Sequence, residues 1–146
     1  MKAQIISKFY FYSLLILFVS TLVTNANAQS KALADAERYY GIRNYEQALP
    51  LFEQAIREGS KDPMVHYKAG VCLQKSLNLN EQIKAIPYWE FALANTTSIP
   101  PITHMDLGDL YLKNESLDKA IASYEKYKSL TKVDKKAQTM ADNAIS

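Results

Sequence analysis

Apolar and polar positions recur along this chain in matching blocks. "ALPLFEQAI" (Ala48 to Ile56) and "AIPYWEFAL" (Ala85 to Leu93) begin 37 positions apart. Both read Ala, an aliphatic, Pro, two bulky residues, Glu, a variable residue, Ala and an aliphatic. A third block, "AIASYEKYK", starts 35 positions after Ala85 and keeps Ala120, Ile121, an aromatic at Tyr124 and Glu125. Recurrence at such a period marks a packing rule repeated along a stack of similar units.

Each block lies in a helix-period pattern. In the first unit, "SKALADAERYYGI" sets Ala32, Ala36, Tyr39 and Tyr40 at helical spacing, with Leu33 widening the face. Gly41 and Asn44 suit a turn. Then "YEQALPLFEQAIREG" puts Tyr45, Ala48, Leu49, Phe52, Ala55 and Ile56 on one face, ending at Gly59 where a left-handed cap is expected. The second unit opens at Asp62-Pro63, a cap followed by proline at the first helical position. "PMVHYKAGVCLQKS" is its first helix, "LNLN" a loop about three residues longer than in the first unit, and "EQIKAIPYWEFALA" its second helix. In the third unit "PITHMDLGDLYLKN" and "SLDKAIASYEKYKSL" form the pair, the latter capped by Ser116. The second helices start around Glu46 and Gln82, which sets Pro50 and Pro87 slightly deep and predicts a mild kink at each. In the tail, Val133, Ala137, Met140, Ala141 and Ile145 predict a closing helix over about 133–145.

The first residues follow another pattern. Lys2 and Lys8 precede the apolar run Phe9 to Val23, and Ala26-x-Ala28 supplies small residues for a peptidase. These three regions make residues 1–28 a secretory signal peptide, and the run is short for a membrane span. Cleavage after Ala28 would leave 118 residues, 29–146, as one non-spanning domain in which fifteen basic residues face fifteen acidic ones. A neutral chain carries no electrostatic case for nucleic acid. The single cysteine, Cys72, forms no intramolecular disulfide, so covalent stapling is not part of this fold.

The paired helices and the period resemble the tetratricopeptide repeat family, whose signature is W-x2-L-G-x2-Y followed by A-x3-F. The third unit carries Leu107-Gly108-x2-Tyr111, then Ala120-x3-Tyr124. The second carries Ala69-Gly70-x2-Leu73, then Ala85-x3-Trp89; the first, Asp35-Ala36-x2-Tyr39, then Ala48-x3-Phe52. His66, His104 and Ala32 stand where the family favours Trp. The resemblance implies an all-α, right-handed superhelix of three repeats (about 30–60, 63–97 and 101–131) plus the closing helix. Small residues such as Gly70, Gly108 and Ala85 would let helices approach, and Phe52, Trp89, Tyr111 and Tyr124 would fill the space between them.

The resemblance also implies a concave groove lined by the first helix of each pair. That face comprises Leu33, Glu37 and Tyr40; Met64, Tyr67, Val71, Gln74 and Lys75; and Ile102, Met105, Asp109, Leu112 and Lys113. Some relatives clamp a terminal carboxylate here with Asn, Lys and Arg. Glu37, Val71 and Asp109 at the central positions exclude such a clamp. An apolar groove bearing Tyr and Met fits an extended or helical apolar segment.

Catalytic patterns are sparse. His66 and His104 fill equivalent places 38 residues apart and read as packing aromatics, since no clustered ligand set completes a metal site. Cys72, beside Leu73, reads as a small buried hydrophobe. No phosphate loop, nucleophile elbow or zinc-protease motif occurs. The sequons at Asn95 and Asn114 are short enough to arise by chance. The expectation is a non-enzymatic scaffold with no cofactor, binding a protein or peptide. The competing reading is a small exported metal-binding protein or enzyme using His66, His104 and Cys72. Self-association through an uncovered repeat edge, most readily at the weak first unit, is a further expectation.

An exported block containing "YKAGVCLQKSLNLNEQIKAIPYWEFAL" and "GDLYL…DKAIASYEKY" is similar to the front end of Bacteroidetes OmpA-family envelope proteins. Some of these are associated with gliding motility and type IX secretion. The resemblance implies a place in the periplasm or on the periplasmic face of the outer membrane, with another envelope protein as partner. The later domains of such proteins are not in this sequence, so no peptidoglycan-binding residues carry over.

Overall fold

The computed structural model describes residues 31–131 together with Thr139, Asp142 and Asn143. The leader (1–28) and most of the closing helix (about 133–145) lie outside the described residues. Among those described, the regular structure is entirely helical. Helix α1 covers 31–41. It is followed by α2 (Tyr45–Arg57), α3 (Pro63–Gln74), α4 (Leu79–Ile83), α5 (Ala85–Asn95), α6 (Ile102–Lys113) and α7 (Leu117–Leu130). No described helix is long and apolar enough to cross a membrane.

The caps show why the helices begin and end where they do. The Asn44 side chain accepts from the Gln47 amide at the start of α2, and Asp62 accepts from the Met64 amide at the start of α3, ahead of Pro63. These contacts satisfy donors that lack a partner within the helix. Gly59 ends α2 at φ 99°, with Ser60 N–H bonded to Ala55 O and Gly59 N–H to Ile56 O. That is the Schellman pattern. The same double bond closes α1 and α6, but there the left-handed residues are Arg43 (φ 60°) and Glu115 (φ 57°).

Four local expectations need correction. Gly41 is helical, and Arg43 takes the left-handed turn that Gly41 was expected to serve. Ser116 occupies the N-cap position of α7 without a side-chain cap bond; its hydroxyl donates to Asn114 O instead. "LNLN" is not all loop, because Asn78 caps a short helix that starts at Leu79. The second helix of the middle unit is two helices, interrupted at Lys84.

Pro87 explains the interruption. It has no N–H for the carbonyl of Ile83, and its ring presses on that carbonyl. Ile83 ends α4, and Pro87 becomes the third residue of α5, where an N–H has no helical partner in any case. Pro50, by contrast, lies inside a continuous α2. Both Pro50 and Glu46, whose carbonyl loses its partner, are exposed, so water can take that carbonyl.

Among the described residues two large clusters form most of the core. Ala36, Ala48, Phe52, Ala55, Val65, Ala69 and Cys72 join α1, α2 and α3. Leu73, Trp89, Leu107, Leu110 and Tyr124, with neighbours, join α3, α5, α6 and α7. Leu49 and Tyr88 pack against both clusters, so the units share one continuous interior. Burying a side chain such as Phe52 contributes roughly 1.5–3 kcal/mol.

Candidate functional site

The first helices of the three pairs, α1, α3 and α6, carry the side chains predicted to line a groove. On α3 one side is core: Val65, Ala69 and Cys72 face the first cluster and Leu73 the second. Met64, Tyr67, Val71 and Gln74 are half-buried, and Lys75 is exposed. On α1, Leu33 and Tyr40 are half-buried and Glu37 is exposed. On α6, Met105 is half-buried, while Ile102, Asp109, Leu112 and Lys113 are exposed.

Polar contacts tie these helices together. Lys68 Nζ donates to both carboxylate oxygens of Glu37, at 2.7 and 2.5 Å, joining α3 to α1. The ammonium also lies 5.6 Å from the centre of the Tyr40 ring. Tyr40 meets Tyr45 and Phe52 edge-on, and burial pushes its phenol up to about 12. Between α3 and α6, Tyr67 lies near the buried Thr103, and Gln74 near Asp106. Burial holds the Asp106 carboxyl above its usual range; Asp109 adds to this, and Lys75 and the Gln74 amide oppose it. Lys113 donates to Gln82 Oε1 at 3.2 Å, tying α6 to α4.

Asp109 differs from its expected role. It accepts a 2.7 Å hydrogen bond from the Tyr124 hydroxyl of α7, so it belongs to the packing of its own pair as well as to the groove margin. Lys68, Thr103 and Asp106 are groove-side residues that the sequence reading missed. Lys68 and Asp106 stand one step beyond Tyr67 and Met105, and that adjacent stripe was their only signal.

The histidines and the cysteine are not brought together as a metal site: among the described residues no group of three His, Cys, Asp or Glu could hold an ion. His66 stacks on Phe91 with ring centroids 3.9 Å apart, and its Nε2 lies 3.3 Å from Ser60 O. His104 is half-buried, and burial, aided by Lys126, lowers its pKa. Cys72 is 4% exposed and burial pushes its thiol up to about 12, which leaves no thiolate for nucleophilic work near neutrality.

Two family models, both described as tetratricopeptide repeat, match residues 26–76 and 103–134. The chain carries tetratricopeptide repeats. No curated protein matches it. The matched tetratricopeptide repeat segments leave out α4 and α5. There the spacing from Leu73 to Ala85 is three residues longer than from Tyr39 to Ala48 or from Tyr111 to Ala120. The extra residues build α4, and an open cleft of about 390 Å³ lies among the start of α2, the end of α3 and Glu81 of α4.

A second feature went unread in the sequence. Ile42, Leu77, Leu79, Leu112 and Leu117 are exposed large apolar residues at or beside the turns within the three repeats, and Leu77 is fully exposed. These turns follow one another along the stack: the cleft joins the first to the second, and Lys113–Gln82 joins the second to the third. Tetratricopeptide repeats mediate protein–protein interactions, and such a surface is available for contact.

Proposed function

We propose that this chain is an exported, non-catalytic tetratricopeptide repeat scaffold whose groove along α1, α3 and α6 holds a segment of another cell-envelope protein. The observation that carries this reading is the half-buried stripe of Tyr40, Tyr67, Val71 and Met105, packed against the core, with the half-buried Met64 on the same helix as Tyr67. Such a stripe offers apolar contact at low cost, because its residues are already ordered by the core beneath. Export rests on the leader pattern in residues 1–28, and a place in a secretion or motility assembly rests on the resemblance of the repeats to those of OmpA-family envelope proteins. The metal-binding or enzymatic alternative loses support from the stacking of His66 and the burial of Cys72.

The test is capture from envelope extract, with the parent beside a Tyr67→Ala, Met105→Ala, Leu112→Ala variant shown by circular dichroism to stay folded. A defined partner held by the parent and lost by the variant supports the scaffold and its groove. Equal capture by both sinks the groove assignment.

A further inference from the structure

The charges around the groove bear on the chemistry of its occupant. Six charged side chains stand along α1, α3 and α6 at the groove: Glu37, Lys68, Lys75, Asp106, Asp109 and Lys113. Three are of each sign. Four of them make hydrogen bonds within the chain. Glu37 takes Lys68 on both oxygens. Asp106 is half-buried near Gln74, and Lys75 is exposed at the end of α3. Asp109 accepts from Tyr124, and Lys113 donates to Gln82.

We propose that the segment held in this groove presents an uncharged, apolar face, and that its binding is nearly independent of ionic strength. The proposal rests on the groove reading above. An acidic side chain entering the middle of the groove would have to draw Lys68 from Glu37, and on α6 it would meet the carboxylates of Asp106 and Asp109. A basic side chain would have to strip Glu37 from Lys68 or take Asp109 from the buried Tyr124 hydroxyl. Each exchange strands a charge or a buried polar group, and an interface selects against partners that force this. Lys75 and Lys113, the latter bonded to the neutral Gln82 amide, stand exposed at the ends of α3 and α6, where a rim charge affects encounter rate more than affinity. What the pairs leave accessible is apolar: Tyr40, Met64, Tyr67, Val71, Met105 and Leu112. Residues at helical spacing on one face of a partner match such a stripe.

The experiment is selection from a random peptide display library on the full chain, at about 0.05 M and about 0.5 M salt, where screening differs strongly. The expected result is enrichment, at both salts, of peptides with apolar residues at i and i+3 or i+4 and no recurring charge. Their affinity should change by less than about twofold between the two conditions. A recurring acidic or basic residue, an affinity that falls about tenfold with salt, or no enrichment overturns the proposal. A Met64→Ser, Leu112→Ser variant separates the two levels of inference. Apolar peptides that bind it as well as the parent show the groove reading itself to be wrong. Charged peptides that lose binding to it leave the groove standing and remove the proposed chemistry.

Discussion

The indole of Trp89 lies directly on the backbone of Gly70, and its Nε1 donates to the Tyr67 carbonyl at 3.1 Å. A Cβ on Gly70 would collide with the five-membered ring. Tyr124 sits the same way on Gly108 in the next repeat. Each glycine thus lets the aromatic of its partner helix reach the helix backbone. Gly70→Ala and Gly108→Ala should each lower stability by about 1–2 kcal/mol, as overpacking outweighs a gain of about 1 kcal/mol in helix propensity. Gly41 is the control, because a methyl added there would meet nothing within 4 Å: Gly41→Ala should be neutral or slightly stabilising. Urea melts followed by circular dichroism would check all three; a stabilised Gly70→Ala protein would contradict the packing described.

The two non-glycine left-handed residues give a prediction of opposite sign. Arg43 and Glu115 close α1 and α6 at positive φ, while Gly59 closes α2. A side chain in that region costs roughly 1–2 kcal/mol, partly offset by the greater chain entropy of glycine in the unfolded state. Arg43→Gly and Glu115→Gly should therefore each raise stability by about 0.5–1 kcal/mol. Gly59→Ala should lower it by about 1 kcal/mol. Thermal melts of the three variants would read this out.

These same residues show what was legible in the sequence. The helical repeat fold could be read because Ala48, Ala85 and Ala120 head three similar blocks, and periodicity survives drift in individual residues. Asp62-Pro63 and Gly59 were legible because their chemistry acts locally. Arg43 was not, since its conformation is imposed by the two helices it joins and by Asn44, which must cap the second. The break at Lys84 required knowing that the three extra residues had already formed α4 when the chain reached Pro87. At the groove, the register placed a face, but pairings such as Glu37–Lys68 and Asp109–Tyr124 depend on how helices distant in sequence meet.

Cys72 offers a direct probe of the core. It is buried, and its thiol is pushed up to about 12. The native chain should react negligibly with a disulfide reagent at pH 8, and the urea-unfolded chain fully, with a native rate that follows global opening. Rapid labelling of native protein would show that the first core cluster is open, and would revive a chemical role for this thiol.

Asp106 and His104 titrate in opposing senses. The Asp106 carboxyl is raised from 3.8 by burial, so the native state holds its proton more tightly than the unfolded one. Its contribution to stability is fully present below pH 3.8 and is lost as pH rises through the folded value. Asp106→Asn should therefore stabilise at pH 7, with the advantage shrinking as pH falls toward 4. The His104 imidazole is lowered from 6.5 by burial, so the fold favours its neutral form. That contribution is present above pH 6.5 and is lost as pH falls through the folded value, and His104→Gln should remove it. Denaturant midpoints from pH 4 to 8 for the parent and both variants would separate the two groups. A pH-independent gap between Asp106→Asn and the parent would show that the carboxyl is not perturbed.

The Glu37–Lys68 pair should be worth more than the other ion pairs near it. Arg38–Asp35 lies within one helix, at 3.4 Å with both side chains well exposed, a geometry that contributes about 0.3 kcal/mol. Lys68 is only 21% exposed, holds both oxygens of Glu37, lies over Tyr40 and links two helices whose contact would otherwise be apolar. Glu37 remains 43% exposed, so solvent still screens the pair and the coupling stays near the upper end for surface pairs, about 1 kcal/mol. A double-mutant cycle with Glu37→Gln and Lys68→Met isolates it, because the first replacement keeps the shape of the side chain and the second keeps most of the unbranched stem. The coupling should fall at high salt by less than that of Arg38–Asp35, since the less exposed ammonium is less accessible to counterions. A coupling near zero would mean that α1 is held to α3 by Ala36, Tyr40 and their apolar neighbours alone, leaving Lys68 free to meet an acidic partner.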